Sequence, residues 1–194
     1  MNMHPKHGPL YPEALAFVDS LRELRQIDGA VWFEREMLLA FERGHFQFIP
    51  TRDKTNVYLG RFWLTPVIDG GESWESGNSW LLHHFFRPDD DKALHSHPWP
   101  FETEVLRGGY VEALPPLDWS PASRLGPAFD ARHLFMDRGM RGRHDTNDLH
   151  AVAEIQKGTV TSVRTGPRVD TWYFHPPGEP RVHYRRFLDT HAKV

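Results

Sequence analysis

Hydrophobic residues recur at helical spacing near the start of the chain. Beginning at Pro12, a residue suited to a first helical turn, they follow one another at steps of three and four positions, which predicts an amphipathic helix. Asp28-Gly29 interrupts the pattern, and a second apolar run from Val31 predicts another short helix that ends near Gly44. We therefore expect an N-terminal helical segment over residues 1–45.

From residue 46 the pattern changes to short β-rich segments separated by Pro, Gly and Asp clusters. Many short strands at this spacing favour a sandwich or barrel over alternating β/α units, so residues 46–190 are predicted to form a β-barrel domain. Residues 114–143 have little periodicity and are predicted to be a long loop over one mouth of the barrel. The predicted strands are 46–49, 56–64, 79–86, 102–112, 149–155, 160–164 and 171–175.

Composition and charge exclude several classes of protein. With 194 residues, 39% of them hydrophobic and 25% charged, the chain can bury a core of its own. The net charge is −3 and the 23 basic residues are scattered, which argues against a nucleic-acid partner. No apolar run is long enough to cross a bilayer, and the first eight residues lack the apolar stretch of a signal peptide. We expect a cytoplasmic protein with no membrane partner.

Cysteine is absent and histidine is abundant, with 13 copies. The absence of cysteine excludes disulfide scaffolds, thiolate zinc sites, iron–sulfur clusters and cysteine nucleophiles. Any metal ion would have to be held by imidazole and carboxylate groups.

The segment Leu-His-Ser-His-Pro-Trp-Pro-Phe-Glu, residues 94–102, offers such groups. His95 and His97 stand two apart, so on a strand both side chains point to one face and can reach one ion. Glu102 could return on the neighbouring strand as an oxygen ligand, and His150 heads a distant β-rich segment. Three or four nitrogen and oxygen ligands suit Fe(II), Mn(II), Ni(II) or Zn(II).

These residues also carry a family resemblance. His95, His97, Glu102 and Gly109 stand at positions of the first cupin motif, and His150 stands where the second cupin motif places its histidine. The chain thus resembles the cupin superfamily. That resemblance implies a mainly β fold, the double-stranded β-helix or cupin jelly roll, here with an N-terminal pair of short α-helices. It also implies that His95, His97, Glu102 and His150 are the metal ligands.

A closer resemblance is to a group of small, poorly characterised cupin-like proteins from bacterial and phage genomes. It covers roughly residues 56–188 and implies the fold and a metal site rather than a defined reaction. The matching residues are His83, Phe85, Asp89, Asp91, the run 94–99, Gly108-Gly109-Tyr110, Thr165-Gly166-Pro167-Arg168 and Trp172-Tyr173-Phe174.

The cupin resemblance implies a metal-dependent enzyme that acts on a small molecule inside the barrel. One divalent metal ion is expected, with Fe(II) favoured and Mn, Ni or Zn as alternatives, and the favoured activity is that of a dioxygenase. A metal-dependent isomerase or lyase, a non-catalytic small-ligand-binding cupin, a metal-free jelly roll and a structural or interaction protein stay open. Because cupins often pair through sheet edges or exchanged N-terminal segments, a homodimer is expected.

Five residues on predicted strands are candidates for binding the substrate. An arginine that is buried on a strand is costly unless it is paired, so Arg107 or Arg164 could enter the barrel to hold a substrate carboxylate or phosphate. The alternative for each is a surface position on the outer face. Tyr110, Trp172 and Tyr173 are expected to line the pocket, although strands also use aromatic residues in their core.

Overall fold

The N-terminal part of the chain is helical, as the apolar spacing predicts. In the computed structural model the described residues are 2–4, 8–27, 29–65, 77–89, 93–120, 122–127 and 131–191. A short hairpin of β1 (Asn2–His4) and β2 (Gly8–Leu10) precedes two helices, α1 (Pro12–Gln26) and α2 (Trp32–Glu42). A third helix, α3 (Tyr184–His191), follows the last strand. No helix in the described ranges is both long and apolar enough to span a membrane.

Twelve further strands among the described residues build two layers. They are β3 (Phe46–Pro50), β4 (Val57–Trp63), β5 (Trp80–Phe85), β6 (Leu94–His95), β7 (Phe101–Arg107), β8 (Gly109–Leu114), β9 (Arg132–Asp137), β10 (Arg141–His144), β11 (Ala151–Ile155), β12 (Val160–Thr165), β13 (Tyr173–His175) and β14 (Val182–His183). One layer is an antiparallel sheet in the order β10-β7-β12-β5-β4-β3. The other joins β14-β13-β6 to β11-β8-β9 through a backbone bridge between His95 and His150.

The two layers pack face to face. Leu59 and Phe85 of the six-stranded sheet share a buried cluster with Tyr110, Met136 and Val152 of the other layer. Antiparallel sheets stacked in this way form a jelly roll. The predicted fold class, a mainly β jelly roll preceded by two helices, is confirmed.

Strand alternation gives the six-stranded sheet two different faces. On β4 and β5, Phe62 and Leu82 point away from the barrel and pack against α1 and α2 in the largest apolar cluster. Their neighbours Arg61 and His83 point into the barrel, where both line the interior cavity. The helices therefore cover the part of the outer face that β3, β4 and β5 form, and the inner face lines the cavity.

His84 lies on the helix-covered face and makes stability depend on pH. Its ring stacks on that of Phe17 with 3.8 Å between centroids, and burial, helped by the charge of Arg107, lowers its pKa to about 3. The unfolded chain binds this proton near pH 6.5, so protonation favours unfolding and stability falls as the pH drops below that value.

We predict that His84→Phe reduces the acid sensitivity of folding. When the pH falls from 7 to 5, the free energy of unfolding of the unaltered protein should decrease by about 2 kcal/mol because of His84. The variant should not show this part of the decrease. Urea unfolding at both pH values measures the difference. The same substitution at the exposed His133 serves as the control, and an equal loss in His84→Phe and the unaltered chain would contradict the prediction.

Two local predictions are wrong. The single strand predicted over residues 102–112 is two strands, because Gly108 has φ +67° and turns the chain from one layer to the other. A Cβ at Gly108 would lie 2.6 Å from Oγ1 of Thr159, which leaves no room for a side chain. The predicted long loop contains two strands, β9, which pairs with β8, and β10, which pairs with β7. The pattern misses β9 because every residue of it except Met136 is exposed.

Candidate metal centre

Three histidines from two separate segments lie together inside the barrel. The backbone N–H of His95 donates to the carbonyl of His150 at 2.9 Å, and the N–H of His150 donates back at 3.1 Å. This pairing places the two rings side by side, and His97, two residues after His95, lies beside them. One ring nitrogen from each of the three lies within 4.8 Å of the others, and Nε2 of His97 is 2.8 Å from Nε2 of His150.

Burial keeps two of these imidazoles neutral. It lowers the pKa values of His95 and His97 well below the ordinary value, and the charges of His150 and Arg61 lower them further. Neutral imidazole is the form that binds a metal ion. In addition, Nδ1 of His95 is buried and has no hydrogen-bond partner among the described residues.

A buried carboxylate orients the third histidine. Glu112 on β8 is only 2% exposed, and its Oε1 lies 2.5 Å from Nδ1 of His150 and 3.2 Å from Nε2 of His144. Burial by itself raises the pKa of Glu112, but hydrogen bonds from both histidines outweigh that effect and lower it to about 2. The ionised carboxylate accepts a hydrogen bond from the Nδ1–H of His150, which leaves Nε2 to face His97.

Glu112, His144 and His150 also form a second group of mutually close ligand atoms. Sequence reasoning missed both Glu112 and His144. The signal for Glu112 was present, since it is a lone acid between apolar residues on a predicted strand. His144 directly follows the segment predicted to be a loop and gave no comparable signal.

The structure does not bring Glu102 to the histidines. On β7 the side chains of Phe101 and Thr103 are buried, so alternation turns Glu102 to the outside, where it is exposed. Glu104 shares that outer face and pairs with Arg141 at 3.0 Å. The carboxylate that contacts the histidine cluster is Glu112 instead.

An interior cavity of about 160 Å³ adjoins the three histidines. Two of the predicted substrate-binding residues line it, namely Tyr110 and Trp172, and the Trp172 ring lies 6.5 Å from that of His97 and nearly parallel to it. Tyr173 does not line the cavity. As the strand neighbour of Trp172 it faces the other way, with the guanidinium of Arg181 4.3 Å from its ring centre.

Neither predicted arginine reaches the cavity. Arg107 forms an ion pair with Glu34 of α2 and donates from Nε to the carbonyl of Gly158 at 3.1 Å. The strand register shifts beside it, so Arg107 lies opposite Val160, which packs towards the helices. Arg164 is exposed on the outer face, over the ring of Trp80 at 4.6 Å.

The arginine that does line the cavity centrally on β4 is Arg61, another residue that sequence reasoning missed. Burial lowers the pKa of its guanidinium, an effect that Tyr58 and Asp89 partly offset, and arginine nevertheless stays charged in proteins. The available signal was a single charge inside an otherwise apolar strand, Val57–Trp63.

The donor set fits a divalent metal ion. Three imidazoles converge, two of them are held neutral by burial, and the third is oriented by an ionised carboxylate. The unpartnered Nδ1 of His95 adds a buried polar atom that needs a partner. Imidazole donors of this kind suit Fe, Mn, Ni and Zn ions.

Comparison with known proteins gave structural neighbours only. No protein-family profile matches the chain, and no curated protein matches it by sequence. Among solved structures, the Fe(II) form of HppE is 14% identical over 58% of this chain and 52% of its own, with a TM-score of 0.40. A structure titled for the DMSP lyases RdDddP and RnDddQII is 17% identical over 57% of this chain and 46% of its own, with a TM-score of 0.35.

A third neighbour covers more of the chain. It is an HTH_3 family transcriptional regulator from Vibrio cholerae, 14% identical over 78% of this chain and 96% of its own, with a TM-score of 0.35. This chain spans about half the length of the HppE and DMSP lyase chains that it matches.

Proposed function

We propose that this chain is a metal-dependent enzyme that acts on a small molecule inside its jelly roll. His95, His97 and His150 would hold one divalent ion, with Fe(II) and dioxygenase chemistry as the favoured activity. The observation that carries the proposal is the convergence of these three imidazoles on the wall of an interior cavity.

The chain's own residues prepare the site in two ways. Burial keeps His95 and His97 unprotonated, so that their nitrogens are available as ligands at neutral pH. Glu112 fixes the orientation of His150 from behind. A divalent ion bound there supplies Lewis-acid chemistry, and an iron ion supplies in addition the redox chemistry of an oxygenase.

Residues along the cavity would bind and shield the substrate. Burial raises the pKa of Tyr110, so its phenol stays protonated and can donate a hydrogen bond. Leu59, Phe85 and Val152 form an apolar part of the cavity wall, which would limit the access of water to the substrate. Trp172 offers a flat surface next to His97.

Metal analysis followed by an oxygen assay tests the proposal. Protein purified without an affinity tag should carry about one divalent ion per chain, and the chain reconstituted with Fe(II) should consume dioxygen with some members of a panel of small organic acids, alcohols and thiols. Retention of no ion after incubation with Fe(II), Mn(II), Ni(II) or Zn(II) would overturn the metal site. Turnover by the Mn, Ni or Zn forms without oxygen uptake would replace the dioxygenase with an isomerase or lyase.

A further inference from the structure

Arg61 places a positive charge inside the barrel. It lies at the middle of β4, between Leu59 and Trp63 on the same face, and all three residues line the cavity. On the neighbouring strand it stands opposite His83, whose side chain also lines the cavity. The strand pattern that turns Phe62 to the helices therefore turns Arg61 to the same space as the histidine cluster.

Nothing in the described part of the chain neutralises this guanidinium. No carboxylate oxygen there lies within 4.0 Å of it, and its side chain makes no hydrogen bond to a described residue. Its Nε atom is fully buried. By contrast, Arg107, the strand arginine at the helix-covered face, is paired with Glu34. A guanidinium in apolar surroundings without a partner is costly unless a ligand supplies the anion.

Within the described lining, Asp89 offsets this charge only in part and forms no ion pair with Arg61. The one carboxylate in the lining is that of Asp89, and its Oδ2 accepts a hydrogen bond from the N–H of Val152 at 2.7 Å. Arg168 adds a second cationic side chain to the wall. Leu81, Phe85 and Val163 make much of the remaining surface apolar. Such a cavity favours a ligand with one anionic end and an apolar body.

We propose that Arg61 binds the carboxylate of a small organic acid, which is the substrate of the metal centre; this inference rests on the proposed function. The guanidinium presents paired N–H donors that match the two oxygens of a carboxylate. A singly charged carboxylate matches the single positive charge of Arg61, which forms no ion pair among the described residues. The volume of about 160 Å³ is that of a cavity that holds a benzene-sized molecule.

Titration calorimetry with benzoate and its neutral analogue benzamide tests the inference. Zinc-loaded unaltered protein should bind benzoate, or the smaller butyrate, at least tenfold more tightly than the matching amide. Arg61→Met should weaken carboxylate binding by about 10- to 100-fold and leave amide binding unchanged. Arg164→Met removes an exposed arginine from β12 and is the matched control, with no change expected.

Further measurements separate this inference from the metal site. Metal content of Arg61→Met should equal that of the unaltered protein, because Arg61 is not a ligand. If Arg61→Met fails to fold, Arg61→Lys keeps the charge without the paired donors and should bind carboxylates with intermediate strength. Equal binding of acids and amides by the unaltered protein, or unchanged binding by a folded Arg61 variant, would overturn the inference, and tighter binding of inorganic phosphate than of benzoate would overturn its carboxylate class. Arg61-dependent benzoate binding by a protein that holds no metal would instead defeat the proposed function alone.

Discussion

His97→Ala protein is expected to retain less than about a tenth of the metal held by the unaltered chain. The Nε2 of His97 lies 2.8 Å from that of His150, so the substitution removes one of the three converging imidazole ligands. Elemental analysis after dialysis measures the retained metal. The fold should persist, because His97 belongs to the cavity wall and to none of the apolar clusters that hold the layers together.

The control for this experiment is His133→Ala, which removes an exposed histidine from β9. Its metal content should not change, and the circular dichroism spectra of both variants should match that of the unaltered chain. Full metal retention by a folded His97→Ala protein would show that the cluster is not the site.

Glu112→Gln is expected to weaken metal binding by about 10- to 100-fold, the range found when a group behind a histidine ligand is lost. The substitution keeps the size of the side chain but removes the negative charge of the carboxylate, whose Oε1 accepts the hydrogen bond from His150 Nδ1 at 2.5 Å. The imidazole would then be free to rotate or to change tautomer. Competition with a chromophoric chelator measures the affinity.

Glu102→Gln is the matched control for this prediction. It removes the same charge from the outer face of β7, where the sequence motif placed a ligand and the structure places an exposed side chain. We expect its metal affinity to equal that of the unaltered protein. A large loss in Glu102→Gln, with none in Glu112→Gln, would reverse the assignment of the two glutamates.

The sequence predicted those side-chain positions that depend on the residue spacing within a single segment. The two-residue spacing predicted that His95 and His97 lie together, which they do although β6 ends at His95. Alternation within β5 put His83 and His84 on opposite faces. Alternation does not continue through a turn, however. The proline-containing turn between β6 and β7 determines whether the side chain of Glu102 faces the barrel interior or the outside. The spacing of the residues does not predict this orientation.

What the sequence could not predict comes from pairing between distant strands. Glu112, His144 and Arg61 reach the site because β8, β10 and β4 lie in particular places in two sheets. A register shift opposite β7 likewise turns Arg107 to the helices, although simple alternation along the strand would send it inward. Such irregularities depend on the partner strand and are invisible in a single segment.

The helices on the six-stranded sheet have a consequence for any effort to transplant this barrel. Phe46, Phe62 and Leu82 are almost completely buried because α1 and α2 lie over them, and the Arg107–Glu34 ion pair ties α2 to the end of β7. Without residues 1–45, these side chains would form an exposed apolar surface that favours aggregation. A minimal scaffold made from this protein should therefore carry its helical cover along with the strands.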